Sequence, residues 1–135
     1  MLEVAAAIIY VDNKILCFQR GLSRYEYTSF KYEFPGGKIE AGESPEEALS
    51  REILEELGVS VRIGRKLITI VHNYPDFSIT MHCYICRIDE LNYNLTEHID
   101  CIALEPHELD KLDWVEADLS VINLLMSRKN GLSMQ

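Results

Sequence analysis

The sequence contains no apolar run approaching the roughly 18 residues that cross a bilayer. Its opening, MLEVAAAIIYV, carries Glu3 and lacks a basic stretch before the apolar residues. It therefore reads as a strand and not a signal peptide, and the expectation is a cytoplasmic protein with no membrane partner. Positive charge is scarce: 13 Lys and Arg stand against 22 Asp and Glu, for a net charge of −9. That balance argues against binding to a nucleic-acid polymer, which normally requires a basic patch. It leaves room for a free nucleotide, because a cation can bridge acidic side chains and phosphate. Cysteine is sparse as well. Of Cys17, Cys83, Cys86 and Cys101, only Cys83 and Cys86 have a metal-like spacing, and they fall in an alternating strand pattern that sends them to opposite faces. With no second pair, the four read as reduced free thiols.

There is no internal repeat, low-complexity segment or linker, so the 135 residues are expected to form one domain over 1–135. Leu2 to Tyr10 is a dense apolar run short enough for a buried strand, Asp12-Asn13 is a turn, and Ile15 to Phe18 returns as a hairpin. Gly21 to Lys31 is polar and aromatic without a period, a loop suited to lying over a ligand. Phe34-Pro35-Gly36-Gly37 reads as a sharp turn whose glycines allow close backbone approach. Ser44-Pro45-Glu46-Glu47 is a helix start, with Ser44 at the N-cap, Pro45 at N1 and Glu47 completing a capping box. The helix runs to Leu57, with Gly58 past its end and Leu49, Ile53, Leu54 and Leu57 as its apolar side.

Strands are expected from Val59 to His72 and from Phe77 to Ile88, separated by Asn73-Tyr74-Pro75-Asp76. A turn with a short edge strand follows from Asp89 to Thr96, then a strand from Cys101 to Leu104 and a short helix opened by Pro106. A closing helix from Glu116 to Arg128 and a frayed tail from Lys129 to Gln135 complete the chain. The order β-β, loop, α, several β, α predicts a mixed sheet with helices packed on it.

Glu52, Glu55 and Glu56 stand at i, i+3 and i+4, and a helix stacks them on one side. Carboxylates that close repel, and a hard divalent cation with oxygen ligands compensates. A glutamate-rich helix is usually a solvated face, but these three sit at fixed distances from Gly37, Glu43 and Arg51. The spacing is Gly37, five residues, Glu43, seven residues, then Arg51-Glu52-Ile53-x-Glu55-Glu56-x-Gly58-Val59.

That segment resembles the box of the Nudix hydrolase family at all nine specified positions over 23 residues. The resemblance implies an α/β (α+β) fold, an α/β/α sandwich in which a mixed β-sheet carries the loop-helix and a C-terminal helix. It implies a hydrolase acting on the diphosphate linkage of nucleotides with Mg²⁺, or Mn²⁺ in its place. Glu55, Glu56 and the Gly37 carbonyl are the expected metal ligands, Glu52 is a ligand or the base that orients water, and Arg51 is a clamp on Glu43 or another acid. Glu97 is the candidate for an additional ligand from outside the box, and His98 beside it reads as a surface histidine, with a proton carrier as the alternative.

Tyr32 to Glu40 looks like the MutT-type branch, which cleaves nucleoside triphosphates to monophosphate and pyrophosphate. Trp114 to Ile122 resembles that branch's base-reading segment, with Asp118 where the oxidised-guanine enzymes carry asparagine. An ionised aspartate only accepts hydrogen bonds, which suits the amine of cytosine or the N–H edge of guanine. The similarity therefore points to CTP-like or oxidised nucleotides. Arg20 is expected to contact phosphate or base, and Phe34, His82 and Tyr84 to line or stack on the base. Hydrolysis of ADP-ribose or a dinucleoside polyphosphate, and a silent nucleotide sensor, remain alternatives. The compact chain leaves no room for the dimerising N-terminal domain common in ADP-ribose hydrolases, which also favours the MutT-type branch. The expected partner is a small-molecule nucleotide and the expected state a monomer or homodimer.

Overall fold

A computed structural model describes residues 2–89 and 93–127. Among these, seven strands form one mixed sheet. β1 (Leu2–Val11) is its centre, flanked by β2 (Lys14–Arg20) through the Asp12 turn. β3 (Tyr32–Glu33) pairs with β2, and β4 (Gly36–Lys38) pairs antiparallel with the first half of β1. After helix α1 (Pro45–Leu57) come β5 (Arg62–Asn73), β6 (Ser78–Arg87) and β7 (His98–Leu104). β6 lies parallel to β1 along its whole length, β5 pairs with β6, and β7 pairs with β2. Two short 3₁₀ turns, Pro106–Lys111 and Glu116–Asp118, lead into helix α2 (Leu119–Ser127). No described helix is long and apolar enough to cross a membrane.

Strand alternation divides the core in two. Ala5, Ala7 and Ile9 of β1 face α1 and bury Leu49, Ile53 and Leu57. Ala6, Ile8 and Tyr10 face the other way and pack with Val121, Ile122 and Leu125 of α2 and with Phe34 and Trp114. This is the mixed sheet between helices that the sequence implies. Cys83 and Cys86 lie on opposite faces, and all four cysteines are free thiols. Each fully buried aliphatic side chain contributes about 1.5–3 kcal/mol, so both helices are held chiefly by these faces.

Local signals set the ends of α1. Ser44 Oγ accepts from the Glu47 N–H at 3.1 Å and Glu47 Oε1 accepts from the Ser44 N–H at 2.8 Å. Gly58 closes the helix with φ 72, a conformation that costs glycine least.

Several expectations change. Gly36 and Gly37 form a strand and not a turn, because they lie against the backbone of Ala5 and Ala6. β7 begins at His98 and not Cys101, since the Arg20 end of β2 continues the pairing. Leu54 is 56% exposed, whereas Glu56, expected on the outer acidic side, is 4% exposed. The closing helix starts at Leu119 after a tighter turn. Its expected end at Arg128, the tail from Lys129, and residues 90–92 lie outside the described residues; the described part of the expected edge strand, Tyr93 to Thr96, is not strand.

Candidate active site

Two cavities meet beside β4. One is acidic, about 580 Å³, and is lined by Glu33, Glu52, Glu55, Glu56, Glu97 and Arg20 among others. The other is mainly apolar, about 340 Å³, with Phe34, Tyr74, Phe77, Ile79 and Met81 in its walls and Asp118 beside them. They share Arg20, Ser23, Glu33 and Gly36.

The acidic cleft is assembled from three elements. α1 supplies Glu52, Glu55 and Glu56. β4 supplies the glycines, and each is there for a different reason. A Cβ on Gly36 would overlap the backbone carbonyl of Ala5, whereas one on Gly37 would overlap the carboxylate of Glu52. The loop before β7 supplies Glu97 and is stapled to the end of α1: Thr96 Oγ1 donates to the Glu55 and Glu56 carbonyls at 3.1 and 3.0 Å, and the Asn94 N–H donates to the Leu57 carbonyl at 2.9 Å.

Arg51 braces the loop between β4 and α1. Its Nε and Nη2 donate to Glu43 at 2.7 and 2.9 Å, Nη2 also reaches the Lys38 carbonyl at 3.0 Å, and Nη1 donates to Glu52 at 2.9 Å. Glu55 lies 3.5 Å from the same guanidinium. Hydrogen bonding from Arg51, followed by that from the Glu40 N–H, holds the Glu43 carboxyl down at about 2. Arg51 is thus saturated by protein groups and faces the loop.

Glu56 is the most strained carboxylate of the set. Burial pushes its pKa up, and neighbouring Glu52, then Glu33 and Glu97, push it further. Its Oε2 is buried without a hydrogen-bond partner. Among the described residues no three His, Cys, Asp or Glu side chains converge closely enough to hold an ion as they stand. The donor set nevertheless fits a hard divalent cation: carboxylate oxygens around an orphaned buried one, beside a glycine that leaves space for Glu52.

Several side chains are not where the sequence suggested. His82 and Tyr84 do not reach the apolar cavity. Both point to the α1 side of β6, where His82 Nε2 meets Glu3 at 2.8 Å and Tyr84 packs in the α1 core with its hydroxyl towards Glu46. Strand alternation gives the cavity Ile79 and Met81 instead. Phe34 does line the cavity, its ring 4.8 Å from that of Trp114. Arg20 stands where the cavities meet, and its Nη1 donates to Glu33 at 2.9 Å. His98 is buried, not superficial: Nε2 is 2.8 Å from Glu33 and the ring packs on Phe18.

Asp118 also departs from the ionised acceptor expected. It is 2% exposed, and Oδ2 accepts from the Phe34 N–H at 3.0 Å. Burial outweighs that bond and pushes its pKa up to about 8. The shift favours the protonated carboxyl, which both donates and accepts, as asparagine does. Glu33, Tyr74 and Phe77 were missed in the sequence. The signal for Glu33 was its place between two aromatics just before the glycines, and for the others their place on either side of the Pro75-Asp76 turn.

Residues 1–130 match the NUDIX domain. The chain is 38% identical over 97 residues to 8-oxo-dGTP diphosphatase of Proteus vulgaris, covering 71% of this chain and 83% of that protein. It is 31% identical over 129 residues to CTP pyrophosphohydrolase of Escherichia coli K12, covering 94% and 93%. The solution structure of a MutT protein from methicillin-resistant Staphylococcus aureus 252 superposes with a TM-score of 0.72 at 40% identity, covering 93% of this chain and 95% of that one. The family match and these relatives define the class as a hydrolase. The chain belongs to the NUDIX family, whose enzymes generally use divalent metal ions.

Proposed function

We propose that this protein is a Mg²⁺-dependent nucleoside triphosphate pyrophosphohydrolase that converts a CTP-like or oxidised nucleotide and water to the monophosphate and pyrophosphate. The observation that carries the reading is the junction of an acidic cleft with a base-sized apolar cavity ending at buried Asp118. A polyphosphate would lie over the carboxylates while its base enters the cavity. The named activities of the Proteus and Escherichia relatives support the same reading.

Glu55, Glu56, the Gly37 carbonyl and Glu97 would hold the cation, with Glu52 either joining them or acting as the base. When bound, the cation supplies neutralisation of phosphate charge and lowers the pKa of the attacking water. The chain's residues do the rest. Glu52, pressed against Gly37 and held by Arg51, stands where it can orient water and take its proton as a phosphorus–oxygen bond of the diphosphate linkage breaks. Arg20 faces the phosphates from the junction. Asp118 reads the base edge, donating while protonated and only accepting once ionised, a form that a ligand's amine or N–H groups favour. The reading places the protein, as a monomer or homodimer, in the cytoplasm where free nucleotides are available.

The test is a panel of nucleotides with Mg²⁺, scored for product and for pyrophosphate against phosphate. Monophosphate and pyrophosphate from CTP or an oxidised guanine triphosphate are expected. Preferred cleavage of ADP-ribose or a dinucleoside polyphosphate would overturn the substrate class, and no turnover of any compound would favour a binding module.

A further inference from the structure

The loop between β2 and β3 forms one wall of the apolar cavity through Ser23, Arg24, Tyr25 and Thr28, and the reading above leaves it unused. Tyr74 and Phe77, on either side of the turn between β5 and β6, line the same cavity. The rings of Tyr25, Tyr74 and Phe77 close into a cycle through a fourth, that of Tyr27. Tyr25 stacks on Tyr27 with centroids 5.2 Å apart, and Tyr27 stacks on Tyr74 at 5.5 Å. Tyr74 meets Phe77 at 5.0 Å, and Phe77 returns to Tyr25 at 5.5 Å. The Tyr27 hydroxyl donates to Asp76 Oδ2 at 2.7 Å, 49 positions away, and so clasps the loop to the turn.

The backbone of Tyr25 is pinned as firmly as its ring. Its carbonyl accepts from the Thr28 and Ser29 N–H groups at 3.2 and 3.1 Å and from the Ser23 hydroxyl at 2.9 Å. Ser29 Oγ in turn accepts from the Ser23 N–H at 2.9 Å. A ring held in this way loses little freedom when a ligand packs on it, so more of the contact energy appears as affinity. A nucleotide base is flat and aromatic and gains from such a ring whatever its hydrogen-bonding edge. Arg24 rests over Tyr25 with Cζ 5.4 Å from the ring centroid. That side chain is exposed, where a cation–π contact is weak, and an entering base displaces it. Tyr25 lines the apolar cavity and not the acidic cleft, so it acts on binding and not on bond cleavage.

We propose that Tyr25 packs on the base of the bound nucleotide, and that Tyr27 is a positioning residue that holds it there through its ring and its clasp on Asp76. This inference rests on the entry of the base into the apolar cavity proposed above.

The test compares variants on the better of CTP and 8-oxo-dGTP with Mg²⁺. Tyr25→Leu should raise KM about tenfold with kcat little changed, and Tyr25→Phe, which retains the ring, should restore the wild-type value. Inhibition by the nucleoside monophosphate product should weaken in step in Tyr25→Leu, while inhibition by inorganic pyrophosphate, which has no base, should not change. Tyr27→Phe and Asp76→Ala should each raise KM about threefold, and the double variant no further than either alone. In nucleotide-free protein, Tyr27→Phe should also speed amide exchange from Ser23 to Ser29. A wild-type KM in Tyr25→Leu, or equal weakening of both inhibitors, overturns the contact between Tyr25 and the base. Additive losses in the double variant, or unchanged exchange in Tyr27→Phe, overturn the clasp. Wild-type protein that turns over no nucleotide instead overturns the reading of the cavity and this inference with it.

Discussion

The backbone N–H of Phe34 donates to Asp118 Oδ2 at 3.0 Å, joining groups 84 positions apart. This bond ties the entry to β4 to the start of α2. It also favours the ionised aspartate, yet burial prevails and leaves the pKa at about 8.

The first prediction concerns stability. An unfolded aspartate titrates near about 3.9, so between there and about 8 the folded state binds more protons than the unfolded one. The Asp118 contribution to stability therefore falls as pH rises through that window and levels off above it. Asp118→Asn still accepts from Phe34 but does not titrate. In urea unfolding the variant should gain on wild type between about pH 5 and about pH 9. Parallel curves would show that Asp118 is ionised throughout.

Base preference should follow the same proton. A substrate edge that donates, such as the cytosine amine, is matched by ionised Asp118, so its kcat/KM relative to other nucleotides should rise as pH passes about 8. Asp118→Asn should abolish that dependence. A preference that is independent of pH in wild type removes Asp118 from base reading.

The adjacent glycines should separate fold from chemistry. Gly36→Ala drives a Cβ into the Ala5 backbone, which cannot give way, and should lower Tm markedly. Gly37→Ala meets only the mobile end of Glu52. Its Tm should change little, while displacement of Glu52 lowers kcat by about a hundredfold. Similar Tm values with similar activities would contradict the assignment.

Arg51 holds Glu43 with two nitrogens and Glu52 with a third. Lysine cannot reproduce that fork. Arg51→Lys should loosen the loop between β4 and α1, seen as faster amide exchange from Glu40 to Glu43, and should lower kcat more than it raises KM. Unchanged exchange with reduced activity would point to direct contact of Arg51 with substrate.

Much of this was legible in the sequence because it was local. Ser44, Pro45, Glu47 and Gly58 mark both ends of α1 without reference to the rest of the chain, and the spacing from Gly37 to Glu56 is fixed within one loop and helix. What escaped depends on distant pairing. Gly36-Gly37 becomes strand only because Ala5 and Ala6 lie alongside. His82 and Tyr84 alternate correctly along β6, but which face holds the cavity is decided by Phe34 and α2. The burial of His98 follows from pairing of β7 with β2 as far back as Arg20, and the raised pKa of Asp118 from a core that its neighbours in sequence do not reveal.

Glu56 carries the central claim, being buried, crowded by like charges and left with an unpartnered oxygen. Glu56→Gln keeps the shape and removes the charge. The decisive measurement is pyrophosphate release from CTP and 8-oxo-dGTP across a Mg²⁺ titration, wild type against Glu56→Gln. We predict Mg²⁺-dependent release by wild type and a loss of at least about a hundredfold in the variant, which in cation-free buffer should be no less stable than wild type because burial there already disfavours the ionised carboxyl. Near-normal release by Glu56→Gln, or release by wild type without any divalent cation, would contradict the account.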